Sequence, residues 1–549
     1  MVDKNEVVQY YRAMKEITVN VRSFEDIRTK GNYVYVDKTQ YVYNMVRYEL
    51  QNYYFISRPR RYGKSLMCST LQALFEGKRD LFKGLYIDST DYSFEKYPVL
   101  HFNFADYSTN DYESFLNDFQ VELIEESRRN EVSIEKDQPS SMLKSFLRQI
   151  EKKAVIIVDE YDSPIIDTYL DKEKSDRIRN TLSTFYTVIK NNDDKVRFFF
   201  ITGVTKFSNM SIFSKMNNLT DLTFDKNYAS AFGYTQEELE RYFSEYIDEY
   251  MCRADREYET REEFLEAVRD YYDGYRFSYR SESRVYNPVS VGKFFQNDCE
   301  FEPYWENTGA STLAVTLAKD YHLERIMTED AEVGLRTINT FDYSLLREKQ
   351  LDDSQVLALI YFTGYLTIKE GDSDSLSLTF PNTEVRKTFM QNLVHQFTGI
   401  DTSIFATRAV KAVRSGKVEE VARVMNAYMK EYQYDTLNKT EKGYQQMFYS
   451  FFLMIGGSCV NVSAEDRTLL GRSDICLSFN KDVYIIEMKV DESADVALRQ
   501  IHENGYYDKY INTDKTIHLI GLNFKSKERQ IDSWVEEIVD KSKEPTYLA

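Results

Sequence analysis

The sequence predicts an α/β protein: a parallel-sheet nucleotide-binding core with a helical lid, a mainly helical middle region, and a second α/β domain at the C-terminal end. Three observations lead there. Strand-like and helix-like runs alternate through the first half of the chain, as they do when a parallel sheet is covered on both faces. A Gly-Lys-Ser turn at 63–65 stands between one such strand and one such helix. Two further strand-like runs, separated by Asn480-Lys481, carry Asp474, Glu487 and Lys489. A chain of 549 residues is too long for one ordinary core and suits three or four domains.

The first strand is Tyr53-Tyr54-Phe55-Ile56, and a helix follows over Leu66 to Phe75. The loop between them, Ser57-Arg58-Pro59-Arg60-Arg61-Tyr62-Gly63-Lys64-Ser65, has the strand-loop-helix context that a phosphate-binding loop requires. A helix N-terminus offers an anion unpaired N–H groups and positive partial charge. Gly63 lets the backbone approach phosphate without a Cβ in the way, Lys64 is placed to reach the β- and γ-phosphates of ATP, and Ser65 is placed to hold Mg²⁺ through its hydroxyl. The loop departs from the usual pattern once, with Arg58 five residues before Gly63 where a glycine is expected. Candidate nucleotide contacts are therefore Arg58, Arg60, Arg61, Tyr62, Gly63, Lys64, Ser65 and Leu66. Arg60 and Arg61 have the alternative of pairing with nearby acids.

Val155-Ile156-Ile157-Val158-Asp159-Glu160 is an apolar run ending in two acids, which suits a central parallel strand that delivers carboxylates at its C-terminal edge. Asp159 is then a Mg²⁺ ligand through water, and Glu160 the group that polarises the attacking water. A third strand, Val196 to Thr202, runs into Gly203-Val204-Thr205-Lys206. Thr202, Thr205 and Lys206 are candidates for sensing the γ-phosphate, with a plain strand-to-loop exit as the alternative for each. Pro98 to Phe104 supplies another strand.

Several stretches resemble one family. Ser23-Phe24-Glu25-Asp26-Ile27-Arg28, Tyr35-Val36-Asp37-Lys38-Thr39, the loop Arg58 to Leu66, Tyr272-Asp273-Gly274-Tyr275-Arg276-Phe277, Tyr286-Asn287-Pro288-Val289-Ser290 and Tyr304 to Gly309 are similar to the signatures of AAA-ATPase-like proteins with a C-terminal PD-(D/E)XK nuclease-like domain. The resemblance spans nearly the whole chain. It implies an AAA-like P-loop core, a nuclease fold, and a bacterial or archaeal intracellular protein. It also implies that arginine at position 58 is a family trait.

Spacing supports the nuclease half independently. A two-residue hairpin at Asn480-Lys481 sets Asp474 opposite Glu487, and side-chain alternation puts Glu487 and Lys489 on one face. Two carboxylates so close repel unless a divalent cation lies between them, and hard oxygen ligands favour Mg²⁺ or Mn²⁺. The metal lowers the pKa of a bound water while Lys489 orients it or stabilises developing charge, which fits phosphodiester hydrolysis in DNA or RNA. The alternative is an acidic hairpin with a cross-strand salt bridge. By resemblance, Glu441 matches the first acidic position, a further metal ligand, and Gln500 falls where related nucleases place a helix glutamine.

Between the two sites, Thr235-Gln236-Glu237-Glu238 has the threonine cap and acidic first turn of a helix start, where a helical lid begins. Arg276 and Lys293 could approach the γ-phosphate from this lid or from a neighbouring subunit of a homo-oligomer, or could anchor loops. Val356 to Phe362, then Gly364 to Ile368 and Leu376 to Phe380, suggest a winged-helix unit whose wing, Gly371 to Ser375, is acidic where phosphate contact calls for Lys or Arg. The expected division is 1–235 ATPase core, 236–330 lid, 331–400 winged-helix-like connector and 401–549 nuclease-like domain.

Net charge is −19, from 70 basic and 89 acidic residues, which disfavours nucleic acid at first sight. Residues 401–549, however, carry 20 basic and 23 acidic residues, and local potential decides phosphate docking. The five cysteines are scattered without Cys-x-x-Cys spacing, so a reducing cytosol is expected. No signal peptide and no apolar run of membrane length are read, and a cytoplasmic location without membrane contact is the expectation.

Overall fold

Strands form where β-branched and aromatic residues run without a break. The computed structural model describes residues 14–19, 21–48, 52–206, 218–305, 315, 317, 331–339, 351–398, 402–431, 451–452, 461–467, 472–479, 482–528 and 530–539. Among them, β1 (Tyr53–Ser57), β2 (Val99–Asn103), β3 (Ala154–Asp159), β4 (Val196–Gly203) and β5 (Thr220–Asp221) form a sheet in the order β2-β3-β4-β1-β5, every neighbouring pair parallel. All side chains of β1, β3 and β4 are buried, as a sheet covered on both faces requires.

Helices cover it from both sides. On one face α1 (Lys64–Phe75) sets Phe75 4.9 Å from Phe198. On the other, Phe119 of α2 (Tyr112–Arg129) and Phe185 of α3 (Lys172–Asn191) close on Phe102 of β2, with ring centroids 5.7 Å away in each case. Asp111 and Asp171 cap α2 and α3 through backbone N–H groups, satisfying donors that a helix start leaves open. Register brings Ser57 level with Gly203 and Asn103 level with Asp159. The C-terminal ends of the strands therefore finish along one edge, where an open α/β sheet carries its site.

The helix expected after Thr235 is α4 (Gln236–Tyr242), with Thr235 and Glu238 in a reciprocal capping box. The helical region continues through α5 (Arg261–Tyr272) and α6 (Pro288–Gln296), and its core holds Phe243, Phe264, Tyr272 and Phe294. Next come β6 (Ala331–Gly334), α7 (Asp353–Phe362), β7 (Thr367–Gly371) and β8 (Ser375–Thr379). The three strands form an antiparallel sheet ordered β6-β8-β7, so the expected helix-then-hairpin is present with one extra strand.

The C-terminal region holds α8 (Thr402–Arg414), α9 (Val418–Glu431) and a five-stranded sheet. Its strands are β9 (Asn461–Arg467), β10 (Arg472–Phe479), β11 (Asp482–Val490), β12 (Thr516–Lys525) and β13 (Gln530–Ile538), in the order β13-β12-β11-β10-β9. Only β11 and β12 run parallel, and α10 (Ala494–Glu503) links them. Alternation splits β11 between two faces. Val483 and Ile485 pack with Ile501 of α10, while Tyr484 and Ile486 face Val421 and Met425 of α9.

The chain divides into two compact units, Met1–Trp305 with Asp330–Asn382, and Glu306–Glu329 with Thr383–Ala549. The expected core, residues 236–305 of the expected lid and the hairpin of the connector fall in the first unit, whereas residues 306–329 of the expected lid fall in the second.

Gly521, opposite Glu487 in the β11–β12 register, is where α10 lies closest to the sheet: an added Cβ would stand 2.2 Å from the Ala494 carbonyl oxygen and 2.7 Å from the Leu498 nitrogen. Both obstacles are backbone and cannot rotate away. Gly521→Ala is expected to destabilise the C-terminal unit by about 1–3 kcal/mol through overpacking. Denaturant unfolding of the variant, followed by far-UV circular dichroism, checks this, and an unchanged midpoint refutes it.

Candidate functional site

The phosphate loop closes around its own lysine. Gly63 caps α1 at φ +89, and a Cβ built there meets nothing within 4 Å. Glycine is needed at this position for its left-handed backbone, since the space above it is open. The ammonium of Lys64 is buried, at 2% side-chain exposure, and donates to the carbonyls of Arg58 and Pro59 at 3.1 Å each, with Glu160 Oε1 at 3.2 Å. Ser65 stands beside Asp159, where its hydroxyl favours the ionised carboxylate. Two motifs some 95 residues apart in sequence thus meet through the Lys64–Glu160 ion pair, with Ser65 next to Asp159. Glu160 reaches Lys64 by leaving β3 at φ +48, a conformation that non-glycine residues adopt at a cost of about 1–3 kcal/mol and that clusters at functional sites.

Other loop residues take different positions from those expected. Arg58 is 1% exposed, and its guanidinium donates to the carbonyls of Ser57, Thr223 and Tyr228 at 2.8 to 3.1 Å and lies 4.4 Å over the Phe277 ring. Burial pulls its pKa down to about 10. The arginine in the glycine position is an interior strut, turned beneath the loop, and does not offer itself to phosphate. Tyr62 is equally buried, its ring 5.1 Å from both Tyr275 and Phe277. Arg61 donates to the carbonyls of Tyr304 and Trp305. Arg60 is half-buried, and Leu66 is half-buried in the first turn of α1.

Thr205 is not disposed as a phosphate sensor. Its N–H and its hydroxyl both go to Asp162 Oδ2, at 2.7 and 2.8 Å, and its carbonyl accepts from the Tyr161 hydroxyl at 2.8 Å. Thr202 donates to the Ile56 carbonyl, and Lys206 pairs with Asp221 at 2.7 Å. Arg276 is likewise a loop anchor. It is 5% exposed and donates to the carbonyls of Ser281 and Lys369 and to Glu282, which is the second of the two roles expected for it.

Asp162 is the residue that sequence reasoning passed over. It also accepts from Val204 N–H at 3.0 Å and is fully buried, so it fixes the exit of β4 against the exit of β3. Its place in the acidic run Asp159 to Asp162, beside a buried Tyr161, is the available signal. Burial first, and then the charge of Glu160, push both Asp159 and Asp162 up to about 6 from 3.8, against the pull of Ser65 on the former and Thr205 on the latter.

In the C-terminal unit Ile475 pairs Ile486 and Phe479 pairs Asp482, the register expected from a turn at Asn480-Lys481. One residue further along each strand stand Asp474 and Glu487. Glu487 is 2% exposed on the α10 face, and Lys489, two residues on, is half-buried. Opposite Lys489 in β12 is Asn523, buried and bonded to Asp532 and to the Glu492 N–H; nothing in the sequence singled it out. Gln500 Nε2 lies 3.4 Å from the Tyr506 hydroxyl, which also accepts from Asn504. Glu441, the Asn480-Lys481 turn and the side chain of Asp474 lie outside the described residues. Among the described residues no cluster of three or more His, Cys, Asp or Glu side chains could hold a metal ion, and no helix is long and apolar enough to cross a membrane.

The raised carboxylates have a consequence for stability. A folded-state pKa above the unfolded value means that folding binds protons between pH 3.8 and about 6, so each acid weakens the fold as pH rises through that window, fully above it and not at all below it. In Asp162→Asn the position no longer titrates. The thermal midpoint of the variant minus that of the wild type is expected to move in the variant's favour as pH rises from about 4 to about 7, measured without nucleotide or divalent cation. A difference that stays flat with pH refutes the assignment.

Comparison with known proteins agrees with both halves of this geometry. Residues 18–213 match the family model described as "Predicted AAA-ATPase", and residues 439–534 match the PD-(D/E)XK nuclease superfamily. A protein of Azotobacter chroococcum mcd 1, described as an uncharacterized protein in the vnfD 5′ region, is 31% identical over 550 aligned positions that cover 95% of this chain and 99% of the relative. With the parallel sheet and its phosphate loop in one unit and the β11–α10–β12 sheet in the other, the chain belongs to the family of AAA-ATPase-like proteins that carry a C-terminal domain of the PD-(D/E)XK nuclease superfamily.

Proposed function

We propose that this protein hydrolyses ATP and uses the nucleotide state to control metal-dependent cleavage of DNA or RNA by its C-terminal domain. The meeting of Lys64 and Ser65 with Glu160 and Asp159 carries the reading. It assembles a triphosphate cradle, a hydroxyl–carboxylate pair and a base at the C-terminal edge of one sheet. Mg²⁺ held by Ser65 and Asp159 would neutralise phosphate charge. The open space above Gly63 and the N–H groups that begin α1 fit phosphate oxygens. Lys64 exchanges its loop carbonyls for phosphate oxygens, and Glu160 orients water towards the γ-phosphate.

In the second domain, Glu487 and Lys489 share one face of β11, and Asp474 and Glu441 complete the acidic set. Asp474 and Glu487 would hold Mg²⁺ or Mn²⁺, which supplies an activated water. Lys489 orients that water, and Gln500 with Tyr506 borders the site. A role in defence or mobile-element biology follows from the pairing of domains alone.

Phosphate release from ATP and cleavage of plasmid, single-stranded DNA and RNA in Mg²⁺ or Mn²⁺ test the two halves separately. Lys64→Ala is expected to lose nucleotide binding. Glu160→Gln is expected to bind ATP and lose at least about 10²-fold in turnover. Glu487→Ala and Lys489→Ala are expected to abolish cleavage and leave ATP turnover intact. Equal turnover in wild type, Lys64→Ala and Glu160→Gln removes the ATPase reading. A chain that turns over ATP and cuts none of the substrates is instead a nucleotide-driven switch whose C-terminal fold binds without cleaving.

A further inference from the structure

The back of the phosphate loop is covered by residues from much later in the chain. Arg61 sits at φ +71, and its Nη1 donates to the carbonyl of Tyr304 at 3.2 Å and of Trp305 at 3.3 Å. Tyr62 fills a slot between Tyr275 and Phe277. A Cβ built on Gly364 would lie 2.9 Å from Pro59 Cβ and 3.3 Å from Cζ2 of Trp305, so these three residues form one close contact. The Trp305 indole stands 4.7 Å from the Tyr365 ring at an interplanar angle of 75°, and the Tyr275 hydroxyl donates to the Gly364 carbonyl at 2.9 Å.

Trp305 is also the last residue of the first pass of the chain through the N-terminal unit. The second pass ends at Asn382, and a Cβ on Gly274, next to Tyr275, would lie 1.9 Å from the carbonyl oxygen of Pro381. The second departure point therefore lies against the element that holds Tyr62, and the first is tied to that element through Gly364, which touches Trp305 and accepts from Tyr275.

We infer that Arg61 is a positioning residue that couples occupancy of the phosphate loop to Trp305, and so to the point where the chain leaves the N-terminal unit. The inference rests on the ATP-binding reading above. A ligand shifts a conformation only through contacts that differ between two states. Here the differing contacts are those of the loop N–H groups, and the side chain rooted on the same backbone is a rigid guanidinium fork fixed on two carbonyls. A loop that tightens on phosphate draws Tyr304-Trp305 with it, because close-packed contacts such as Pro59–Gly364–Trp305 switch between arrangements and do not stretch. The position of Tyr62 in its aromatic slot keeps the remainder of the loop in step.

The two tryptophans of the chain are Trp305 and Trp534, so Trp534→Phe in the full-length protein makes Trp305 the sole indole. Trp305 is 8% exposed, which makes its emission sensitive to repacking. Saturation with Mg²⁺ and a non-hydrolysable ATP analogue is expected to shift Trp305 emission and its quenching by iodide. Arg61→Ala in this background is expected to bind the analogue at saturation, measured by equilibrium dialysis, yet lose most of the shift. Arg61→Lys, which keeps the charge without the fork, is expected to lose part of it and stands in if the alanine variant does not fold. A full shift in saturated Arg61→Ala or Arg61→Lys overturns the inference, and so does wild type that binds the analogue with Trp305 unmoved. Wild type that binds no analogue removes the ATP-binding reading itself and this inference with it.

Discussion

Lys64 holds a positive charge at 2% exposure among Asp159, Glu160 and Asp162, and the need to neutralise that charge organises the N-terminal unit. An ammonium is tolerated in such a place only when it is paired and hydrogen-bonded. Its partners come from two places. The phosphate loop gives two carbonyls and the exit of β3 gives the Glu160 carboxylate, while Asp162 locks the exit of β4 beside them. The carboxylates carry the opposite burden, since Asp159 and Asp162 are held above their ordinary range by burial and by the charge of Glu160. Each charge is acceptable because of the others, so the geometry of the site and the stability of the sheet edge are one problem.

The parallel register makes this meeting possible. β4 lies between β1 and β3 and pairs with both, so the residues that follow β4 stand beside the ends of its neighbours. Asp162, just past the end of β3, uses that arrangement by accepting from Val204 and Thr205. Arg58 braces the loop from below through carbonyls near β5 and an aromatic face from the lid element. A glycine there would remove the guanidinium's hydrogen bonds to those carbonyls and its contact with the Phe277 ring, which gives a physical reason for arginine at an unusual position.

Residues whose role follows from backbone periodicity and local spacing were legible in the sequence. Gly63, Lys64 and Ser65 sit in a fixed strand-loop-helix frame, Asp159 and Glu160 end an unbroken apolar run, and the β10–β11 register is the one that the spacing of the two strands implied. The helix start at Thr235 was legible because a capping box is a local signal. Residues whose role depends on distant partners were not legible. Thr205 has the chemistry of a sensor, but Asp162 and Tyr161 occupy its polar atoms. Arg276 could have reached a phosphate, yet its guanidinium is taken up by four carbonyls, of Ser278, Tyr279, Ser281 and Lys369, and by Glu282. Asn523 and Gly521 matter because β12 pairs with β11 under α10, and no local pattern announces a parallel crossover.

The alternation of the two units along the chain also sets an order of birth. Everything in the N-terminal unit has been synthesised once Asn382 is made, whereas Glu306–Glu329 is made ahead of every other segment of its own unit. Domains fold as units during synthesis, N-terminal ones first. The half with the phosphate loop is thus fully synthesised while β9 to β13 have yet to be made, and the segment Glu306–Glu329 waits on a finished neighbour for the rest of its own unit.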